Sequence, residues 1–150
     1  LNIWTFQEKL TTGLLSWAMA SIATGIAMSR GEDEFRKGVG EQFTGWGIVN
    51  AAIAVFGQRS SNKRRQQPGT NTPESLAQEK KKLSRLLWIN TGLDVFYMLG
   101  GWLAVRTRGQ SDDRWRGRGW GIIIQGGFLF IFDLVNALLI HRVVDPEHQS

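Results

Sequence analysis

Among the polar side chains inside otherwise apolar stretches of this chain, seven stand out: Asn50, Asn90, Asp94, Tyr97, Gln125, Asp133 and Asn136. Asn90, Asp94, Tyr97 and Gly101 are spaced by four, three and four, which places them on one face of a helix. Gln125 and Asn136 are eleven apart and nearly eclipsed around a helix, with Asp133 within about 80° of both. Asn50 and Gln42 form a weaker stripe of the same kind. Two carboxyls at similar depth among amide donors could exchange a proton, or hold a cation, together with a bound solute. The competing reading is structural, because amides and neutral acids also lock helices together in lipid.

The stretches that carry these residues define the solvent. Residues 10–28 and 42–58 contain no charged side chain, 86–105 only Asp94, and 119–140 only Asp133. At about 1.5 Å rise per residue, roughly 20 apolar residues cross a hydrocarbon layer of about 30 Å, and about 17 to 25 are tolerated. Four spans fit, although the mean hydropathy of the whole chain is only -0.19. Charge is concentrated in the connectors, not along one face of each helix as in a soluble bundle. Gly45, Gly47, Gly92, Gly100, Gly101, Gly121, Gly126 and Gly127 suit close helix packing in lipid. Trp88, Trp102, Trp115 and Trp120 fall near block ends, as interfacial anchors do. With four antiparallel spans, Asp94 sits about 2 Å and Asp133 about 5 Å from its block's midpoint, both toward the side of the termini. No Lys, Arg or His lies inside a span to neutralise either acid.

Composition excludes several activities. The 150 residues contain no Cys, so disulfide scaffolds, thiolate metal sites and Cys nucleophiles are absent. His141 and His148 stand near the C-terminal end, without a Ser/His/Asp order or a Glu-x-x-His motif. Gly117-Arg-Gly-Trp-Gly resembles a phosphate loop only superficially and reads as the start of a helix. No metal or resident cofactor is predicted; a tetrapyrrole pigment or a bound lipid is a minor alternative. The basic clusters lack an aromatic-basic nucleic-acid motif and suit lipid headgroups, so no nucleic-acid partner is expected.

The connectors set topology. Glu32-Asp33-Glu34 makes a tight turn after Gly31, and 59–85 is a polar connector, its first part (59–72) reading as mobile. Thr72 is a good N-cap with Pro73 at the first helical position, so helix three starts there and projects a cationic stalk through Lys80-Lys81-Lys82. Asp145-Pro146 marks the expected end of helix four. Ala18-Met19-Ala20 imitates a signal-peptide cleavage site, but the apolar run continues to Met28 and reads as a retained span. The side of the termini and central connector carries ten Lys/Arg and the opposite side eight, which leans toward cytoplasmic termini. Gly38-x3-Gln42-x7-Asn50 matches Gly121-x3-Gln125-x7-Asp133, and Lys9-Leu10-x3-Leu14 matches Lys82-Leu83-x3-Leu87, which suggests two repeated helical hairpins.

The runs Asn90-Thr-Gly-Leu-Asp94-Val-Phe-Tyr97, with Gly100-Gly101 behind it, and Gly121-x3-Gln125-Gly-Gly-Phe128-Leu-Phe-Ile-Phe-Asp133 resemble an uncharacterised family of small bacterial four-helix membrane proteins. The resemblance is best over the last two spans, implies an integral four-helix protein, and transfers no activity.

The expectation is an all-α, single-domain protein of four transmembrane helices in an up-down bundle, in a bacterial cytoplasmic membrane. Its leading role is a non-catalytic accessory or scaffolding subunit, packing on other membrane subunits or on a second copy of itself. The alternatives are a small proton- or cation-coupled transporter using Asp94 and Asp133 and, third, an integral membrane enzyme or pigment-binding subunit.

Overall fold

Four helices account for nearly all of the fold, a computed structural model that describes residues 2–143: α1 (Ile3–Ser29), α2 (Glu34–Arg65), α3 (Pro73–Arg106) and α4 (Asp113–Leu139). Short 3-10 turns occupy Arg108–Gln110 and Ile140–Arg142, and no strand occurs among the described residues. The expected helix end at Asp145-Pro146, and His148, lie outside the described residues; α4 itself stops at Leu139. Every long helix begins on a side-chain cap that accepts from an otherwise unpaired backbone N–H: Asn2, Asp33, Thr72 and Asp112. Each such cap contributes about 1 kcal/mol. Thr72 with Pro73 starts α3 where the sequence places it.

The connector differs from expectation. Helix α2 continues past the apolar block to Arg65, so of residues 59–85 only 66–72 turn, with Gly69 at a φ of 79°. The reason is a buried partner. Glu79 is 8% exposed and pairs with Arg64 at 2.7 Å, while Gln7 donates to it at 3.2 Å and accepts from Ser61 at 2.6 Å. The stalk is therefore clasped to α1 and α2, not projected into solvent. Below the clasp, Ile3, Trp4 and Phe6 pack with Leu87, Ala137 and Ile140.

Helix α1 packs on α2, α2 on α4, and α4 on α3, while α2 and α3 do not pack along their length. Glycines set these crossings, because each marks where a backbone presses on another. Gly25 and Gly40 face each other's carbonyls, and so do Gly101 and Gly119. Gly47 lies on the carbonyl of Ala18, and Gly126 on that of Asp94. Gly40 to Gly119 and Gly47 to Gly126 are both steps of 79 residues; Gly25 to Gly101 and Ala18 to Asp94 are both steps of 76. Hairpin α1–α2 therefore packs as α3–α4 does.

Between the hairpins the same correspondence holds. Gly38 meets the backbone of Arg114 and Arg118, and Gly117 meets Phe35 and Val39, the equivalent pair. Gly121 meets Gln42, its own counterpart, on a pseudo-twofold axis along the bundle. The register differs from the polar sequence matches, which pair Gly38 with Gly121 and Asn50 with Asp133. It is displaced by about one turn, because register is fixed where backbones touch and not where polar residue types coincide.

By length and composition, α1 and the stretch Asp113–Arg142 are apolar enough to cross a membrane. Helices α2 and α3 fall short of that mark, diluted by Gly45, Gly47 and Asn50 in one and by Asn90, Gly92 and Asp94 in the other. Two of the four expected spans are thus supported by composition. All four helices nonetheless expose large apolar side chains, among them Met19, Phe56, Phe96 and Ile131.

Candidate functional site: a polar chamber between α2, α3 and α4

The pseudo-twofold produces two equivalent crevices, one between α1 and α4 and the other between α3 and α2. The first is filled. Trp17 stacks on Phe128 with ring centroids 3.6 Å apart, and Phe132 covers Gly13. Gln125, fully buried, accepts from Trp17 Nε1 and donates to Ser21 Oγ, both at 3.0 Å. The amide oxygen and the amide nitrogen thus each have a partner on α1.

The second crevice is open. Leu93 and Val49 stand where Trp17 and Phe128 stand in the first, too short to meet, and both stay well exposed. A cavity of about 150 Å³ remains, lined by Asn50, Asn90, Asp94, Tyr97 and Asp133. Trp46 forms a wall, tilted against the Tyr97 ring at 5.0 Å. Asp94 and Asn50 are each 3% exposed, yet Asp94 Oδ2 and Asn50 Nδ2 have no hydrogen-bond partner. The Asp133 carboxyl lies beside that of Asp94. An unsatisfied buried polar group costs about 1 to 3 kcal/mol, and two such atoms line this one cavity.

The chamber's position follows from local sequence. The four-three-four spacing on α3 turns Asn90, Asp94 and Tyr97 to one side, and Gly126 lets α3 approach α4 at the level of Asp94. The structural counterparts of Asn50, Asn90, Asp94 and Asp133 are Leu129, Leu14, Ala18 and Ala54, all buried core residues. Polarity is thus confined to one half of a symmetric frame. Of the seven polar residues singled out in the sequence, five come together here. Gln125 does not, being committed to Trp17 and Ser21, and Asn136 donates to the Phe132 carbonyl of its own helix at 2.7 Å.

The packing glycines divide similarly. Gly47, Gly101, Gly121 and Gly126 sit at helix contacts, and Gly127 makes an ordinary contact with Met98. Gly45, Gly92 and Gly100 face open space and pack on nothing within the described residues. Trp102 lies under Arg106, and Trp115 sits between Arg108 and Arg118 at 4.7 and 5.0 Å. Trp88 and Trp120 are largely exposed.

Two clusters escaped the sequence reading. One is the Gln7–Ser61–Arg64–Glu79 clasp; a lone acid before three lysines was its only signal. The other is Glu41, which accepts from Arg118 at 2.7 Å and from Arg114. Burial pushes the Glu41 carboxyl up, but the two guanidinium hydrogen bonds outweigh it and hold it below the usual range.

Chemically, the chamber offers carboxylate, amide and phenol oxygens without sulfur or imidazole, a set suited to a proton or a hard cation. Among the described residues no group of three or more His, Cys, Asp or Glu could hold a metal ion. The fold and site define an all-helical bundle with a carboxylate pair in its interior. The chain belongs to DUF6992, a family of unknown function, whose model matches residues 13–134. No curated protein and no solved structure matches it.

Proposed function

We propose that this chain is a four-span integral membrane protein of the bacterial cytoplasmic membrane, and that its α2–α3 crevice binds a proton or a small monovalent cation as the core of a small coupled transporter. One observation carries the reading: Asp94 Oδ2 and Asn50 Nδ2 are buried, unpartnered and gathered around one cavity with Asp133. Polar residues serving only as glue satisfy each other, as Gln125, Trp17 and Ser21 do. The large apolar side chains exposed on all four helices support a lipid environment. The excess of Lys and Arg near the termini and residues 59–85 favours a cytoplasmic position for that side.

Reconstituted in vesicles with a trapped pH- or Na⁺-sensitive dye, the protein should take up one of these ions under an imposed potential. Asp94→Asn and Asp133→Asn should each cut uptake more than about tenfold while leaving the fold intact, because an amide keeps the shape and loses the charge. Undiminished uptake in both variants removes the reading.

The outward-facing Gly45, Gly92 and Gly100 favour a second reading, an accessory subunit that packs on another membrane helix. Mild-detergent purification would then yield a stoichiometric partner.

A further inference from the structure

The polar chamber is the inner end of a longer cleft. A second cavity of about 370 Å³ lies nearer the clasp between α1, α2 and α3, and it shares Leu14 and Ile53 with the chamber. Leu10, Leu83 and Leu86 join those two as its apolar walls, while Arg64, Lys82 and Glu79 line its clasp end. Arg64 is already engaged by Glu79 and Ser60, but its side chain remains 40% exposed. Six further Lys/Arg lie in residues 59–85, against two acids, Glu74 and Glu79.

From this arrangement we infer that the α2–α3 cleft is a binding site for one anionic phospholipid, its phosphate held by Lys82 and Arg64 and one acyl chain laid along Leu83, Leu86 and Ile53. The inference rests on the membrane reading above, not on the transport chemistry. Volume decides what kind of body fits: a helix is about 10 Å across with side chains and far too wide, whereas pockets of roughly 300 to 1,000 Å³ take small amphiphiles. Charge decides the headgroup: Glu79 offsets only one of the two cations at the mouth, and the net positive charge over an apolar trough suits a phosphate on a hydrocarbon tail. Symmetry supplies the remaining argument. In the α1–α4 crevice the Phe132 ring fills the position that Ile53 holds here. The acyl chain takes the place of the missing ring.

Native mass spectrometry of the detergent-solubilised full chain tests this, with phosphatidylglycerol and phosphatidylcholine of identical acyl chains as probes. One phosphatidylglycerol should be retained about tenfold better than phosphatidylcholine. Lys82→Glu should remove the preference, and Ile53→Phe should reduce retention of both lipids while the protein stays folded. Equal retention of the two lipids, or a preference that survives Lys82→Glu, overturns the proposal. Displacement by inorganic phosphate with no effect of Ile53→Phe also overturns it, since the site would then hold a phosphate alone. So does a dimer in which the second copy fills the cleft. A protein that stays monodisperse in water without detergent would instead sink the membrane reading itself.

Discussion

The α1–α4 and α2–α3 crevices are built on one frame and filled in opposite ways. In the first, Trp17, Phe128 and Phe132 occupy the space, and Gln125 finds both its partners on α1. In the second, Leu93, Val49 and Ile53 leave the space open, and Asp94 Oδ2 and Asn50 Nδ2 lack hydrogen-bond partners beside it. Because the helix crossings match, the difference cannot come from backbone geometry. It comes from side-chain volume and polarity at equivalent positions, and it separates the half of the bundle that holds the fold together from the half available for a ligand.

The strongest way to break this comparison is to destroy the frame common to both crevices. Gly117→Leu would force a side chain into the backbone of Phe35 where the two hairpins meet, and should cost about 3 kcal/mol in detergent unfolding. Gly45→Leu, facing open space, should cost almost nothing, and equal losses would discredit the glycine register. A smaller effect separates the crevices themselves. Gln125→Leu leaves Trp17 Nε1 and Ser21 Oγ without their partner and should cost about 2 kcal/mol. Asp94→Ala, which copies its counterpart Ala18, should leave unfolding unchanged or raise stability, since it removes an unsatisfied acid. Comparable losses at both sites would make the two crevices equivalent after all.

The smallest effect lies outside both crevices, at Glu41. Its folded pKa is depressed by Arg118 and Arg114, so its contribution is complete above the unfolded value and fades as pH falls through the folded one. The partly exposed cluster limits this to less than about 1 kcal/mol. Glu41→Gln should flatten the acid side of the stability profile by that amount, and an unchanged acid limb would show that the cluster contributes nothing.

Much of the fold was legible because its signals are local. Thr72-Pro73 reads as a helix start, and Asn90, Asp94 and Tyr97 share a face by spacing alone. What could not be read was which neighbour each polar group meets. Gln125 and Asp94 look alike in sequence, as lone polar residues in apolar runs, yet one meets a Trp and a Ser while the other meets a second acid at the edge of a cavity. Glu79 reads as part of a charged connector because its partners Arg64 and Gln7 are 15 and 72 residues away. The hairpin correspondence shows in the sequence, but similar polar residues at equal spacing misplace its register. Glycines at backbone crossings carried the true alignment.

The clasp at Arg64 and Glu79 joins α2 and α3 about 10 Å beyond the end of the apolar block at Gln58, counting 1.5 Å per helical residue. As these two helices otherwise meet only through α4, the cleft around Asp94 is braced from two sides, and cutting the clasp would leave α4 as the sole hinge between its jaws.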